Sequence, residues 1–331
     1  MLVNENSKWE NNVEIFDYEK ASNPSMKPMP VFVHPPELHQ NGLTRVIPFE
    51  INEELGIHET CTSPNLMASF IRICVGENIE TKATATSQAF YVIRGKGKSI
   101  SEHGEISWKT GDLFVLPLTN GCIDHMCLKA EQYGGAALYW VHDEPLMNYL
   151  GVSPRVAKFE PTLYTHERML VAIEEITESN KNEDCNRLGI LLGNKACEQT
   201  KTLTHVMWSL LNSIPPNTIQ KPHRHNSVAL DLALSAGSNV YTLMGRDIDS
   251  TGNIIDPIRC DWVSGGVFTT PPGWWHSHHN ESDEIAWVLP IQDAGLFTHQ
   301  RTLDIRFADD EIKLHDNKRI RGATLKEEYS K

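Results

Sequence analysis

Basic charge is scarce in this 331-residue sequence: 30 lysines and arginines face 43 aspartates and glutamates, giving a formal net charge of −13. Nucleic-acid binders carry a basic face that displaces counterions from phosphate, so that class of partner is excluded. The densest basic stretch, KRIR at 318–321, reads as a solvated tail. Long apolar runs are also lacking. Nowhere do 18 consecutive apolar residues occur, which excludes a membrane-spanning helix. Cysteine pairing is missing as well: Cys61, Cys74, Cys122, Cys127, Cys185, Cys197 and Cys260 are odd in number, scattered, and never in CxxC spacing. Neither a zinc ribbon nor a redox dithiol is expected, and reduced thiols fit a cytosolic protein. Residues 1–12 are polar and acidic without an apolar core, so no secretory leader is expected. The expectation is a soluble, cytoplasmic protein.

What is present points to two β domains. The length suits two domains of ordinary size, and 40% hydrophobic with 22% charged residues allows a core in each. Residues 1–43, with Pro24, Pro28, Pro30, Pro35 and Pro36, read as an irregular arm. From 44 to 160, short apolar runs (66–74, 88–93, 111–116, 136–141) alternate with turn signals, the pattern of a β-sandwich or barrel. The segment 166–180 breaks the pattern, placing Met169, Ala172, Ile173 and Ile176 on one helical face. A helical linker over 161–186 follows from it, then a second β unit over 187–307 and a tail over 308–331.

An internal repeat supports this division. FYVIRGKG and GDLFVLP in the first half answer LDLALSAG and GGVFTTPPG in the second. Gly97 and Gly237 are 140 positions apart, Gly111 and Gly265 154, so the second copy carries about 14 extra residues. The turn-rich segment 245–257 accounts for them as a hairpin.

The second copy holds the chemistry. Residues i and i+2 of a strand share a face, so His223 and His225 converge, as do His276 and His278. Three neutral imidazoles with positions left open describe a catalytic metal site rather than a sealed structural one. His279 has the opposite parity and is read as surface. With Gly265, Pro271, Gly273, His276 and Asn280 in their spacing, this half resembles the cupin superfamily, and His223 and His225 open the superfamily's first motif. The resemblance implies a bicupin: two tandem jelly-roll barrels joined by a helical linker. Many cupins add a glutamate ligand where this chain has Ala229 and Leu230, so a three-histidine set is implied. The first copy has Ala83-Thr84-Ala85 in place of the histidine pair and Cys122 in place of the second-motif histidine. His125 lies nearby out of register, and Asp124 with Cys127 makes no recognisable site. That barrel is expected to be metal-free.

The region from 187 to 280 further resembles the gentisate 1,2-dioxygenase family, iron(II) enzymes that cleave aromatic rings with dioxygen. The matching residues are Arg187, LLGN at 191–194, WSLLN at 208–212, HRH at 223–225 with Ser227, Ala229 and Leu230, Tyr241-Thr242, and Thr270-Pro271 through WHSH at 275–278. By this resemblance His223, His225 and His276 hold iron(II), and His278 hydrogen-bonds substrate or oxygen-derived species. Trp208 and Asn212 line the substrate wall, and Arg187 meets a substrate carboxylate. A homodimer or higher homo-oligomer is also implied. Two departures stand out. The family keeps its metal in the N-terminal barrel, whereas here it falls in the C-terminal one. The family's second carboxylate-binding arginine is here Asp231, which reverses the local charge and disfavours gentisate itself. Asp231 either receives an amine or hydroxyl of the substrate or orients a ligating histidine. Arg187 has its own alternative, an ion pair at the barrel rim. Three functions remain open: a dioxygenase for a small substituted aromatic acid, an oxygenase for an amine-bearing non-aromatic metabolite, and a binding protein without turnover. Manganese, nickel and zinc also accept imidazoles.

Overall fold

The computed structural model describes residues 7–128, 134–179 and 187–310. The end of the linker segment, Cys185 and the basic stretch at 318–321 lie outside the described residues. Each half forms two antiparallel sheets. In the first, a six-stranded sheet runs in the order Thr162–Tyr164, Leu113–Pro117, Ser87–Arg94, Ala136–His142, Met67–Ile73, Arg45–Pro48. It faces a four-stranded sheet ordered Asn78–Thr81, Ile123–Cys127, Lys96–Ser101, Gly104–Lys109. In the second half the six-stranded sheet runs Val33–His34, Val267–Thr270, Ala229–Ser235, Ala286–Gln292, Trp208–Ile214, Leu188–Leu191. Its five-stranded partner runs Ile258–Asp261, Val240–Gly245, Trp275–Asn280, Thr218–His225, Ile305–Phe307. The two β units expected from the repeat are both present, as the two jelly-roll barrels that the cupin resemblance implies.

The sequence alternation is weak in the six-stranded sheets because both faces are covered. Every residue of Met67–Ile73 is buried. Phe70 points into a core shared by the two barrels, with Phe49, Tyr139, Leu211, Leu230 and Leu289. Its neighbour Ile71 points into the first barrel, with Phe90, Phe114 and Trp140. Burying each such side chain contributes about 1.5–3 kcal/mol, so the barrel faces dock as one apolar layer. The His166–Ser179 helix adds Met169 and Ile173 to that core, with Ala172 and Ile176 partly buried beside them, the face its period predicts.

Two segments differ from the expectation. The arm is not wholly irregular: Val33–His34 pairs with Val267 and Phe268 of the second barrel. His39 in the arm also hydrogen-bonds the Gly265 carbonyl at 3.0 Å, while its own carbonyl accepts from Arg72 of the first barrel at 3.0 Å. An edge position tolerates the flanking prolines, which lack a donor for the ladder. Thr162–Tyr164, in the segment read as linker, pairs with Leu113–Val115 and so extends the first barrel. The extra segment of the second barrel closes on an Ile248↔Ile254 bridge, as a hairpin should.

Candidate metal centre

His223 and His225 lie at the end of the Thr218–His225 strand, and His276 is the second residue of its neighbour Trp275–Asn280, so strand pairing brings the three together. His223 lies opposite His276 in the ladder. One ligand nitrogen from each of His223, His225 and His276 lies within 4.8 Å of the others. Among the described residues this is the one group of His, Cys, Asp or Glu side chains placed to hold an ion.

The local chain explains the aim of each ring. The turn Pro271–Trp274 needs a left-handed residue, supplied by Gly273 at φ +77. Its Gly273 amide donates to the His225 carbonyl at 2.7 Å, and its Trp274 carbonyl lies 3.1 Å from His276 Nδ1. His225 Nδ1 lies 2.9 Å from the Ser227 carbonyl. An imidazole that donates Nδ1–H to a carbonyl presents a bare Nε2, the form a metal requires. His223 Nδ1 is buried and has no hydrogen-bond partner among the described residues. Burial holds all three neutral: His225 is lowered to about 4, and His223 and His276 lie well below the ordinary histidine value. Three desolvated, neutral, convergent nitrogens fit a divalent metal ion.

His278 shares the pocket but is held differently. Its Nδ1 lies 2.9 Å from Thr242 Oγ1, and Trp262 Nε1 donates to the same oxygen at 2.8 Å. Burial lowers His278 to about 3.

The histidines open on a cavity of about 230 Å³. Each remaining residue singled out in the sequence lines it: Arg187, Trp208, Asn212 and Asp231. Arg187 places its guanidinium 4.7 Å from the Phe307 ring centroid and donates through Nη2 to the Lys221 carbonyl. Asp231 is 4% exposed and accepts from Thr270 Oγ1 at 2.6 Å, and among the described residues it bonds no ligating histidine. Burial pushes its carboxyl up to about 7, against the opposing pull of Thr270. Asn212 lines the wall with its amide engaged, exchanging bonds of 2.9 and 3.2 Å with Gln220.

Gln220 was not anticipated. Strict alternation sets it opposite His223, but the register shifts between them and brings both to the pocket. Phe307 and Ile305 were also missed; their strand pairs with His223 and His225 from the far end of the chain. His279 is half-buried rather than a surface residue, stacked on Tyr241 with centroids 4.7 Å apart.

The first barrel revises the sequence register. Ile123 lies opposite Thr81, and His125 lies opposite Ile79 and Ser99. In the second barrel His276 lies opposite His223, and His278 opposite Gln220 and Thr242. Ile123, not Cys122, therefore stands in the place of His276, and His125 in that of His278. The loop before Ile123 is one residue longer than its counterpart, which is why the sequence offset misleads. His125 is sealed between Ser99 Oγ at 2.7 Å and Thr81 Oγ1 at 2.9 Å.

Solved structures place this architecture. No protein-family model matches the sequence, and neither does any curated protein. Salicylate 1,2-dioxygenase from Pseudoaminobacter salicylatoxidans with gentisate superposes with a TM-score of 0.68 at 13% identity, over 91% of each chain. A second structure of that enzyme gives 0.68 at 12% identity, over 92% of this chain and 97% of the other. An oxalate decarboxylase gives 0.51 at 16% identity, over 82% and 78%. The fold is that of a bicupin. Within this bicupin, the histidine cluster lies in the C-terminal barrel, while the interior of the N-terminal one is filled by Ile71, Phe90, Trp108, Phe114, Ile123 and Trp140. Among the described residues no helix is long and apolar enough to cross a membrane.

Proposed function

We propose that this bicupin is a metal-dependent dioxygenase, with iron(II) on His223, His225 and His276, acting with dioxygen on a small amino- or hydroxy-substituted aromatic acid. The observation that carries the reading is the three-histidine group opening on a cavity that also holds a cation, Arg187, and a buried carboxyl, Asp231. Iron(II) bound there would supply the one-electron chemistry that lets dioxygen react with a closed-shell ring. At about 230 Å³ the cavity falls below the roughly 300–1,000 Å³ of sites for larger ligands, so a single ring is the fitting size. Arg187 takes the substrate carboxylate. Asp231 takes an amine or hydroxyl proton from the ring substituent, and Trp208 walls the ring. The likeness to salicylate 1,2-dioxygenase supports the reaction class, and the buried acid argues for a substrate other than gentisate.

Oxygen uptake tests the reading. Protein loaded anaerobically with iron(II) is offered gentisate and salicylate, their amino-substituted counterparts, and aliphatic amines. Uptake with an amino-aromatic, lost in His276→Ala, supports it. Uptake with aliphatic amines alone supports the second reading, oxygenation of an amine-bearing non-aromatic metabolite, which the same Asp231 favours. No uptake with stoichiometric iron leaves a binding protein.

A further inference from the structure

We infer that Trp262 and Thr242 form a relay that fixes the His278 proton on Nε2, so that His278 is a hydrogen-bond donor to the bound ligand and not a fourth metal ligand. The inference deepens the proposed oxygenase site and rests on that reading only for its catalytic consequence.

Trp262 Nε1–H can only donate, and it donates to Thr242 Oγ1 at 2.8 Å. Thr242 is fully buried, so its hydroxyl proton needs an acceptor inside the protein. His278 Nδ1, at 2.9 Å, is the acceptor recorded for it among the described residues. If Nδ1 instead carried a proton, Thr242 Oγ1 would accept twice and its own proton would be stranded. Nδ1 is therefore bare, and a neutral imidazole must then carry its proton on Nε2. Two of the ligating rings, His225 and His276, are set the opposite way, since Nδ1 of each faces a backbone carbonyl, which only accepts; Ser227 Oγ, 3.2 Å from His225 Nδ1, donates its own proton to Gln292 Oε1 at 2.8 Å and so accepts there too. Two tautomers are thus set by two kinds of partner within one pocket.

The first barrel repeats the device with both ends visible. Trp108 Nε1 donates to Ser99 Oγ at 2.9 Å, Ser99 Oγ lies 2.7 Å from His125 Nδ1, and His125 Nε2 lies 2.9 Å from Thr81 Oγ1. There the donated proton ends on a protein hydroxyl. In the second barrel the corresponding ring lines the cavity, and its Nε2 has no protein partner among the described residues. Thr242 and Trp262 do not line the cavity and act as positioning residues.

The test reads the tautomer directly, in long-range nitrogen–proton correlation spectra of the full chain loaded with diamagnetic zinc(II) and carrying isotope-labelled histidine. Signals of His278 are assigned by their loss in His278→Gln. The expected result is a bare Nδ1 and protonated Nε2 for His278, with the reverse for uncoordinated His225 and His276 in zinc-free protein. Thr242→Val should release His278 into two exchanging tautomers, Thr242→Ser should restore one, and Trp262→Phe should introduce the second. Zinc stoichiometry should be unchanged in His278→Gln and Thr242→Val, while loss of the aimed donor lowers kcat about 10²-fold in the iron(II) protein. A proton on His278 Nδ1 in the wild type, or zinc lost with His278, overturns the inference. So does an unaltered tautomer in Thr242→Val. If Thr242→Val does not fold, the wild-type spectrum and Thr242→Ser still decide. None of the spectra depends on turnover, so a failure of the oxygenase reading is seen separately.

Discussion

His223 and His276 lie opposite one another on adjacent antiparallel strands, their ring centroids 4.0 Å apart. Packing two imidazoles so closely, both deprived of water, strongly disfavours protonating either. An ion between them offsets the desolvation of their lone pairs, so the pair makes sense as half of a metal site.

Asp231 gives the sharpest functional contrast. Asp231→Asn should leave metal content unchanged and weaken binding of amino-substituted ligands more than that of hydroxy-substituted ones. A variant that loses metal while keeping ligand affinity would assign Asp231 to the ion instead. Calorimetric titration beside metal analysis separates the two.

The same carboxyl should show in stability. Its folded pKa is raised to about 7 by burial, above the ordinary value near 3.9. The folded state therefore prefers the neutral acid, and ionising it destabilises the metal-free protein progressively from about pH 4 to 7. Asp231→Asn should raise the melting temperature more at pH 8 than at pH 4. Equal shifts at both would contradict the raised pKa.

Buried histidines act in the other direction. His225 is lowered to about 4, and His278, His125 and His142 to about 3, each by burial. Unfolded chains take up these protons near pH 6.5, the folded protein only near 3–4. Their contribution is complete above 6.5 and is lost as pH falls through that window. Thermal melts of the metal-free protein should therefore decline steadily below pH 6.5, and histidine-to-glutamine changes at His125 or His142 should flatten the decline.

His125→Ala tests the first barrel's relay as structure. It removes two buried hydrogen bonds and leaves the Ser99 and Thr81 hydroxyls without their ring partner. The expected cost is about 2–4 kcal/mol in denaturant unfolding, with metal uptake unaltered. Loss of metal would contradict the assignment of the ion to the second barrel.

Much of this was legible in the sequence because the decisive residues sit on regular strands. Parity alone paired His223 with His225 and His276 with His278, and the helical period found the buried face of the His166–Ser179 helix. Parity failed where the backbone is irregular. The register shift before His223 hid Gln220, and the longer loop before Ile123 concealed the correspondence of His125 with His278. No local period reveals pairing between distant segments, so Val33–His34 and Ile305–Phe307, which close the second barrel from both ends of the described chain, went unseen. Tautomer control by Trp262 was equally hidden, because its contact with Thr242 depends on three-dimensional packing across strands.

Metal stoichiometry tests the central claim most directly. Full-length protein equilibrated with iron(II) under anaerobic conditions, then desalted and analysed, should retain one ion per chain. His223→Ala, His225→Ala and His276→Ala should each retain far less, while His278→Gln retains the full ion. Folded wild-type protein that holds no ion, or a His276→Ala protein that holds one as tightly as the wild type, would contradict the account.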